Sequence, residues 1–340
     1  MKKTASILLV TLWALSLLSA FALILGYQVR QRTTLVYRLN DKAKLRAIAE
    51  AGVKYAHSKI RADRNSEGAE AASYDCLRSD WSDNAAQFKN VRLGDGTFSI
   101  SYNYVDKKTR SIKTRYGLID EERKINLNKA SRPMIQKLFK SVLGLEETQA
   151  QELAASIIDW QDGDGNLSIP IGSAEDSYYR YLSHPYEAKD GDFEALEEVL
   201  LVKGMTNEIF DRVRDYITVY GEGKMNINTA PAAVLYSLGL NNDVVQKILA
   251  FRCGADKLEG TEDDFVFESS EGIVLTLSQV FNLGDFEAAQ LTAAVSEKDL
   301  VVYSENFTIQ CNAKLNNKKS KMRILCVVDK KGKVLYWQES

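Results

Sequence analysis

Two acidic stretches hold most of the residues whose types and spacing could do chemistry. The first reads QDGDGNLSIPIGSAED and the second GADKLEGTEDDF. In the first, Asp162, Asp164 and Asn166 alternate, which converges side-chain oxygens on one side of a turn. Asp159 lies just before this run, and Glu175 and Asp176 follow it. Hard oxygen donors in that number suit Ca²⁺, which takes about six to eight of them. The loop is not an EF-hand, because Leu167 stands at the sixth position, where that turn needs glycine, and Ser173 at the twelfth. The second stretch offers Asp256, Glu259, Glu262, Asp263 and Asp264, with backbone carbonyls around Gly260 and Thr261. One or two structural calcium ions are expected, and a solvated acidic surface is the alternative for each loop.

Catalysis has little material here. His57 and His184 are the two histidines, and neither falls within the two acidic stretches. The chain carries no nucleophile elbow and no phosphate loop. Asp263 and Asp264 are adjacent and would point apart, so they do not form a glycosidase pair. An enzyme is therefore not expected. The cysteines Cys76, Cys253, Cys311 and Cys326 contain no CxxC pair, which argues against a zinc site. Cys311 and Cys326 flank a strand, a polar tip and a returning strand. They are expected to face each other across that hairpin, as a disulfide or as two small buried side chains. With 44 basic and 46 acidic residues among 340, the near-balanced charge gives no overall pull toward nucleic acid or anionic lipid.

The elements that position the acidic loops follow from the hydrophobic pattern. Lysines precede an apolar run from Ile7 to Tyr27, and Arg30 and Arg32 close it. At about 1.5 Å per residue, this run spans a bilayer core of roughly 30 Å. The lysines before the run and the long polar chain after it make this a single-pass anchor with its N-terminus in the cytoplasm and everything after Arg30 exported. A helical stripe continues through Leu35, Leu39, Leu45, Ile48, Ala49, Val53 and Ala56. Alternating segments from Leu93 onward predict strands, as do ENFTIQCNAKL, KSKMRILCVVDK and GKVLYWQES at the other end. Between them lies a mostly helical region opened by KINLN at Lys124 and, a hundred positions later, by KMNIN at Lys224. Each opening strand leads to a helix hairpin, an acidic loop, a second helix pair and an exit, TVYG or VVYS. The helical region thus reads as a duplication. The expected organisation is a membrane helix over 6–29 and a pilin-like helix with its first strands over 30–123. An insert over 124–303 follows, with repeats at about 124–221 and 224–303, and closing strands over 304–340. The fold class is α+β: a long N-terminal helix packed on an antiparallel sheet, with a large inserted helical domain of helix-hairpin-helix or SAM-like type.

The hairpin NINTAPAAVLYSLGLNNDVVQKILAFR resembles the helix-hairpin-helix of DNA-binding proteins, such as those of natural competence. In such a motif a Gly-hydrophobic-Gly turn presents backbone N–H groups to a phosphate. Here the turn is Gly239-Leu240-Asn241, followed by Asn242 and Asp243; the first copy has Gly144-Leu145-Glu146-Glu147. Acidic turns with no second glycine fit packing modules, so nucleic acid is not expected as a partner. A membrane-anchored DNA-binding protein of a competence-like uptake system stands as the alternative function.

Across its length the chain resembles the type II secretion system minor pseudopilin K family. The stretches that carry the resemblance include SILLVTLWALSLLSA, AEAGVKYA from Ala49, IIDWQDGDG from Ile157 and AEDSYY from Ala174. LEEVLLVKGMT from Leu196, YITVYGEGKMNINTAPAAVL from Tyr216 and VLYWQE near the end complete them. The resemblance implies a type IV pilin-like fold and a prepilin whose leader, residues 1–5, is removed by a prepilin peptidase. It places the processing site between Ala5 and Ser6, with alanine where the family has glycine. It also implies an inner-membrane anchor with the folded part in the periplasm, a calcium-binding insert and a seat at the pseudopilus tip with the minor pseudopilins I and J. There the protein would nucleate and cap assembly for export of folded proteins across the outer membrane. Val10 occupies the place where bulk-polymerising pilins carry a glutamate, and a subunit without that carboxylate suits a tip.

Overall fold

A computed structural model describes residues 2–65, 74–105, 111–297, 299–316 and 318–340, with the side chains of 2–6, 63–65 and 105 outside that description. The expected processing site at Ala5 and Ser6 therefore falls on side chains that are not described. Helix α1 runs unbroken over Lys2–Asn65. Residues 7–40 of it are exposed, Leu35 and Leu39 among them although they continue the apolar stripe. Burial begins at Leu45 and proceeds through Ile48, Ala49, Val53, Ala56 and Ile60, each three or four residues from another of the set, one face of a helix. Gly52 lies at the closest approach: a Cβ there would sit 2.5 Å from the Cys311 sulfur and 2.9 Å from the Phe98 ring. After α1 come a short capped turn of helix, α2 (Ala85–Phe88), and the strands β1 (Val91–Leu93) and β2 (Gly96–Ile100). A separate antiparallel ladder, β3 (Tyr102–Val105) with β4 (Ile112–Arg115), precedes β5 (Ile119–Asp120).

The helical region emerges from β5. It opens with β6 (Ile125–Asn126), α3 (Arg132–Leu143), α4 (Glu147–Gln161) and α5 (Asp176–Tyr179). A 3₁₀ turn at Leu196–Leu201, α6 (Asn207–Val213) and β7 (Ile217–Thr218) complete the first half. The second half runs β8 (Met225–Asn226), α7 (Ala232–Ser237), α8 (Asn242–Arg252), α9 (Ile273–Phe281), α10 (Asp285–Ser296) and β9 (Leu300–Val301). Each half closes on itself with a short parallel ladder: Ile125 opposite Ile217 in one, Met225 opposite Leu300 in the other. The asparagines of the two opening strands make matching bonds. The N–H of Asn128 donates to Asn126 Oδ1 at 2.9 Å, and that of Asn228 to Asn226 Oδ1 at 3.0 Å. Asn128 then exchanges bonds with the backbone of Phe193 and reaches the Val219 carbonyl. Asn228 does the same with Phe267 and Val302. Amide side chains can donate and accept at once, which is why asparagine pins both strand ends. The halves share one apolar core, from Phe139, Trp160 and Tyr179 to Val245, Ile248 and Phe267.

The chain then returns as β10 (Asn306–Leu315), β11 (Lys321–Asp329) and β12 (Val334–Glu339). The sheet order is β1-β2-β10-β11-β12, all antiparallel, and β5 pairs with the start of β10. The insert therefore leaves and re-enters through neighbouring strands. Phe98, Ile100, Ile309, Cys311, Ile324 and Cys326 belong to a second core beneath α1. Burying each large aliphatic side chain there contributes about 1.5–3 kcal/mol. The hairpin register corrects the cysteine expectation. Ile324 is the partner of Cys311 and Ile309 the partner of Cys326, so the two cysteines are diagonal neighbours, both buried and both free. A diagonal offset is too wide for the short Cβ separation a disulfide requires.

A buried polar seam joins the two cores. Asp120 accepts from Thr229 and from Asn226, the latter at 3.4 Å. Glu121 binds Lys124, Thr218 and Thr308, each at 2.6 Å. Glu122 takes both the backbone and side-chain N–H groups of Asn306. Burial pushes the Asp120 carboxyl up to about 6, against the Thr229 and Ser304 hydroxyls that favour its ionised form.

Candidate metal centre

Helix α4 delivers the first acidic loop. Asp159 sits in its last turn, fully buried, and Asp162 is its C-cap. Asp159 Oδ1 accepts the backbone N–H of Ser168 at 2.9 Å, which folds the loop back over the helix end. Glu175 enters from the far side, at the start of α5, and is only 4% exposed. Carboxylate oxygens of Asp162, Asp164 and Glu175 all lie within 4.8 Å of one another. Asp159 Oδ2, Asp162 Oδ1 and Glu175 Oε1 are buried with no hydrogen-bond partner among the described residues. Unpaired carboxylate oxygens out of water cost several kcal/mol. Burial, then the charges of Asp159, Asp162, Asp190 and Asp164, pushes the Glu175 carboxyl up to about 7. Asp162 is raised by the same causes: burial, then Asp164, Asp159 and Asp190. A set of converging hard oxygens lacking a counter-charge fits a hard divalent cation.

Two of the expected first-loop residues serve other ends. Asp176 turns away: its Oδ2 holds Arg180 at 2.8 Å and its Oδ1 accepts the N–H of Ala188 at 2.9 Å. As the first residue of α5 it follows the helix, while Glu175 before it faces the loop. Asn166 closes the turn on Asp164, its N–H donating to Asp164 Oδ1 at 2.7 Å and its amide to the Asp164 carbonyl at 3.2 Å. One further charge acts on the site. Asp190 arrives from the segment after α5 in a left-handed conformation (φ +52°), its N–H donating to the Trp160 carbonyl. Its signal in the sequence is the second Asp-Gly-Asp run, Asp190 to Asp192, lying near the first.

The second loop is built differently. Asp256, Asp263 and Asp264 bring carboxylate oxygens within 4.8 Å, but the loop's own backbone already binds them. Asp263 Oδ2 accepts the N–H groups of Ala255 and Asp256 at 2.7 and 3.0 Å. Asp264 Oδ2 accepts that of Gly260 at 2.6 Å, and Asp256 Oδ1 that of Leu258 at 2.7 Å. The Thr261 hydroxyl and these backbone bonds hold the Asp263 carboxyl below its ordinary value. Glu259 and Glu262 stand outside the cluster. Glu259 pairs with the buried Arg252 at 3.3 Å, and Glu262 contributes its carbonyl to Arg78.

The helix hairpins are not arranged for phosphate. Asn241 caps α8, its Oδ1 accepting the N–H of Val244 at 2.8 Å, and Asp243 occupies the first turn. At the other hairpin Glu147 stands in the first turn of α4 and binds Lys140 and Gln136. The donors a phosphate needs are thus taken or screened by carboxylate.

A long N-terminal helix laid on an antiparallel sheet, with a helical domain emerging between two neighbouring strands, defines a pilin-like subunit with an insert. The apolar part of α1 is long and apolar enough to cross a membrane and fits a transmembrane anchor. Residues 115–222 match the family model described as type II secretion system (T2SS), protein K. A type II secretion system protein K of Aeromonas hydrophila is 30% identical over 131 residues, 35% of this chain and 39% of that relative. One from Pectobacterium carotovorum subsp. carotovorum is 28% identical over 92 residues, 27% of each chain. The matched stretches thus span well under half of these relatives. The crystal structure of the GspK-GspI-GspJ complex from the enterotoxigenic Escherichia coli type 2 secretion system contains a chain of the same fold. The TM-score is 0.64 at 18% identity, over 92% of this chain and 99% of that one. The family-model match falls on β4, β5 and the first half of the insert.

Proposed function

We propose that the chain is a minor pseudopilin at the tip of a type II secretion pseudopilus, assembled with the minor pseudopilins I and J. The observation that carries this reading is the placement of the insert. It leaves β5 and returns at β10, at the end of the sheet away from the exposed apolar part of α1. A subunit anchored through α1 carries a bulky domain where a further subunit would stack, which suits capping. Its N-terminus then lies in the cytoplasm and its folded part in the periplasm, and its role is assembly, with no catalytic step. A prepilin peptidase would process it. The first acidic loop holds Ca²⁺ through Asp162, Asp164 and Glu175, with Asp159 and Asp190 adding negative charge. The ion ties the end of α4 to the start of α5 and adds stability by mass action. The second loop is a weaker candidate, since its oxygens already have partners.

Deleting the gene and assaying export of folded proteins tests the proposal. Loss of export, restored by the full chain but not by one with charged residues placed in the apolar part of α1, is the expected result. Unchanged export overturns it.

A further inference from the structure

The near-zero net charge conceals two opposite halves. Residues 124–303 hold 15 basic and 30 acidic side chains, a net −15, and the rest of the chain carries +13. The positive excess concentrates at one end. The β10–β11 hairpin runs down to the level of Asp41 on α1, where Lys318 pairs with Asp41 at 2.6 Å. Beside it the β1–β2 turn pairs Asp95 with Lys44, also at 2.6 Å. Residues 30–46 and 314–323 together bear 11 basic side chains against one acidic one. With Asp41 and Asp95 paired, the exposed Arg30, Arg32, Arg38, Lys42, Lys319 and Lys321 have no carboxylate partner among the described residues.

We propose that this basic foot is a docking surface for anionic phospholipid headgroups; it rests on the reading of α1 as a membrane anchor. From Tyr27, the end of the apolar run, to Asp41 is 14 residues, about 21 Å of helix. The headgroup layer fills roughly 5–7 Å of that height. The hairpin lies on one side of α1, and a helix tilt of about 20–40° toward that side lowers its tip to within a lysine's reach of the headgroups. Arg30 and Arg32 already stand at the boundary. Each basic side chain near an anionic surface strengthens attachment about fivefold, within a Debye length of about 8 Å. The unassembled subunit therefore leans, foot down, with its acidic insert held away from the like-charged lipid.

The test uses the full chain in lipid nanodiscs with a photo-crosslinking residue in place of Ser320 at the hairpin tip. Discs are made of phosphatidylcholine alone or with about one-third phosphatidylglycerol. A second crosslinker in place of Tyr181, on the insert and 91% exposed, serves as reference. The expected result is about tenfold more lipid adduct at position 320 in anionic than in neutral discs. That excess is abolished by Lys319→Glu with Lys321→Glu and by 1 M salt, with no adduct at position 181. Equal adduct in both discs, from a chain that remains embedded in both, overturns the headgroup surface alone. A chain that does not stay in neutral discs overturns the anchored reading and this proposal with it.

Discussion

Glu175 is nearly buried, ringed by four aspartates and short of a hydrogen-bond partner. The folded chain without metal keeps its proton to about pH 7, whereas the unfolded chain gives it up near the ordinary 4.5. The unfolded state thus binds fewer protons in that window, and metal-free stability falls as pH rises through it. Buried Asp120, raised to about 6, slopes the same way. In chelator, the midpoint of thermal unfolding should drop between about pH 5 and 7.5; added calcium should remove most of the drop, because metal binds the ionised carboxylate. Glu175→Gln should raise the metal-free stability at pH 7.5 by on the order of 1 kcal/mol, abolish the calcium response and leave a shallower slope from the other raised carboxyls, Asp120 and Asp162 among them. A variant that still gains stability from calcium would remove Glu175 from the site. At this scale the sequence showed which oxygens were available but not their directions. Asp162, Asp164 and Glu175 converge, while Asp176, one residue further on, is claimed by Arg180 and Ala188. Spacing alone does not encode that choice, because it depends on where α5 begins.

At the scale of elements, the repeated Lys-x-Asn-x-Asn openings were legible because one hydrogen-bonding task occurs twice. Asn128 and Asn228 each close a strand pair, and both do so by binding the backbone on the facing segments. Asn228→Ala leaves buried backbone groups of Phe267 unpaired, and a loss of about 2–3 kcal/mol is expected from the denaturant midpoint. A loss under half that would mean the strand ends are held by packing instead. On the other side of the seam, Gly52 lets α1 approach Cys311 and Phe98. Gly52→Ala should destabilise by about 1–3 kcal/mol, and adding Cys311→Ala should recover part of this by removing the nearest atom. Full stability in the single variant would contradict the packing described. Strand existence at both ends was readable from alternation, but the hairpin register was not. A two-residue offset turns facing cysteines into diagonal ones, and register is fixed by both faces of the sheet together.

For the whole molecule, the chain-wide charge sum is less informative than sums taken domain by domain. A net charge of −2 suggested no electrostatic partner, yet the insert carries −15 and the remainder +13. That division follows from the insert boundaries, 124–303, which were readable in the sequence. The architecture itself was legible, because a helix of 64 residues, strands split between two ends and an interposed duplicated region leave few ways to pack. The role proposed for this architecture is as part of a minor-pseudopilin assembly. The most direct measurement is affinity capture of the full chain, expressed at its native level, from detergent-solubilised membranes, with the co-purifying proteins identified and weighed. The minor pseudopilins I and J are expected in stoichiometric amounts, persisting through size-exclusion chromatography. Capture of neither, under conditions where I and J purify with each other, would contradict that role.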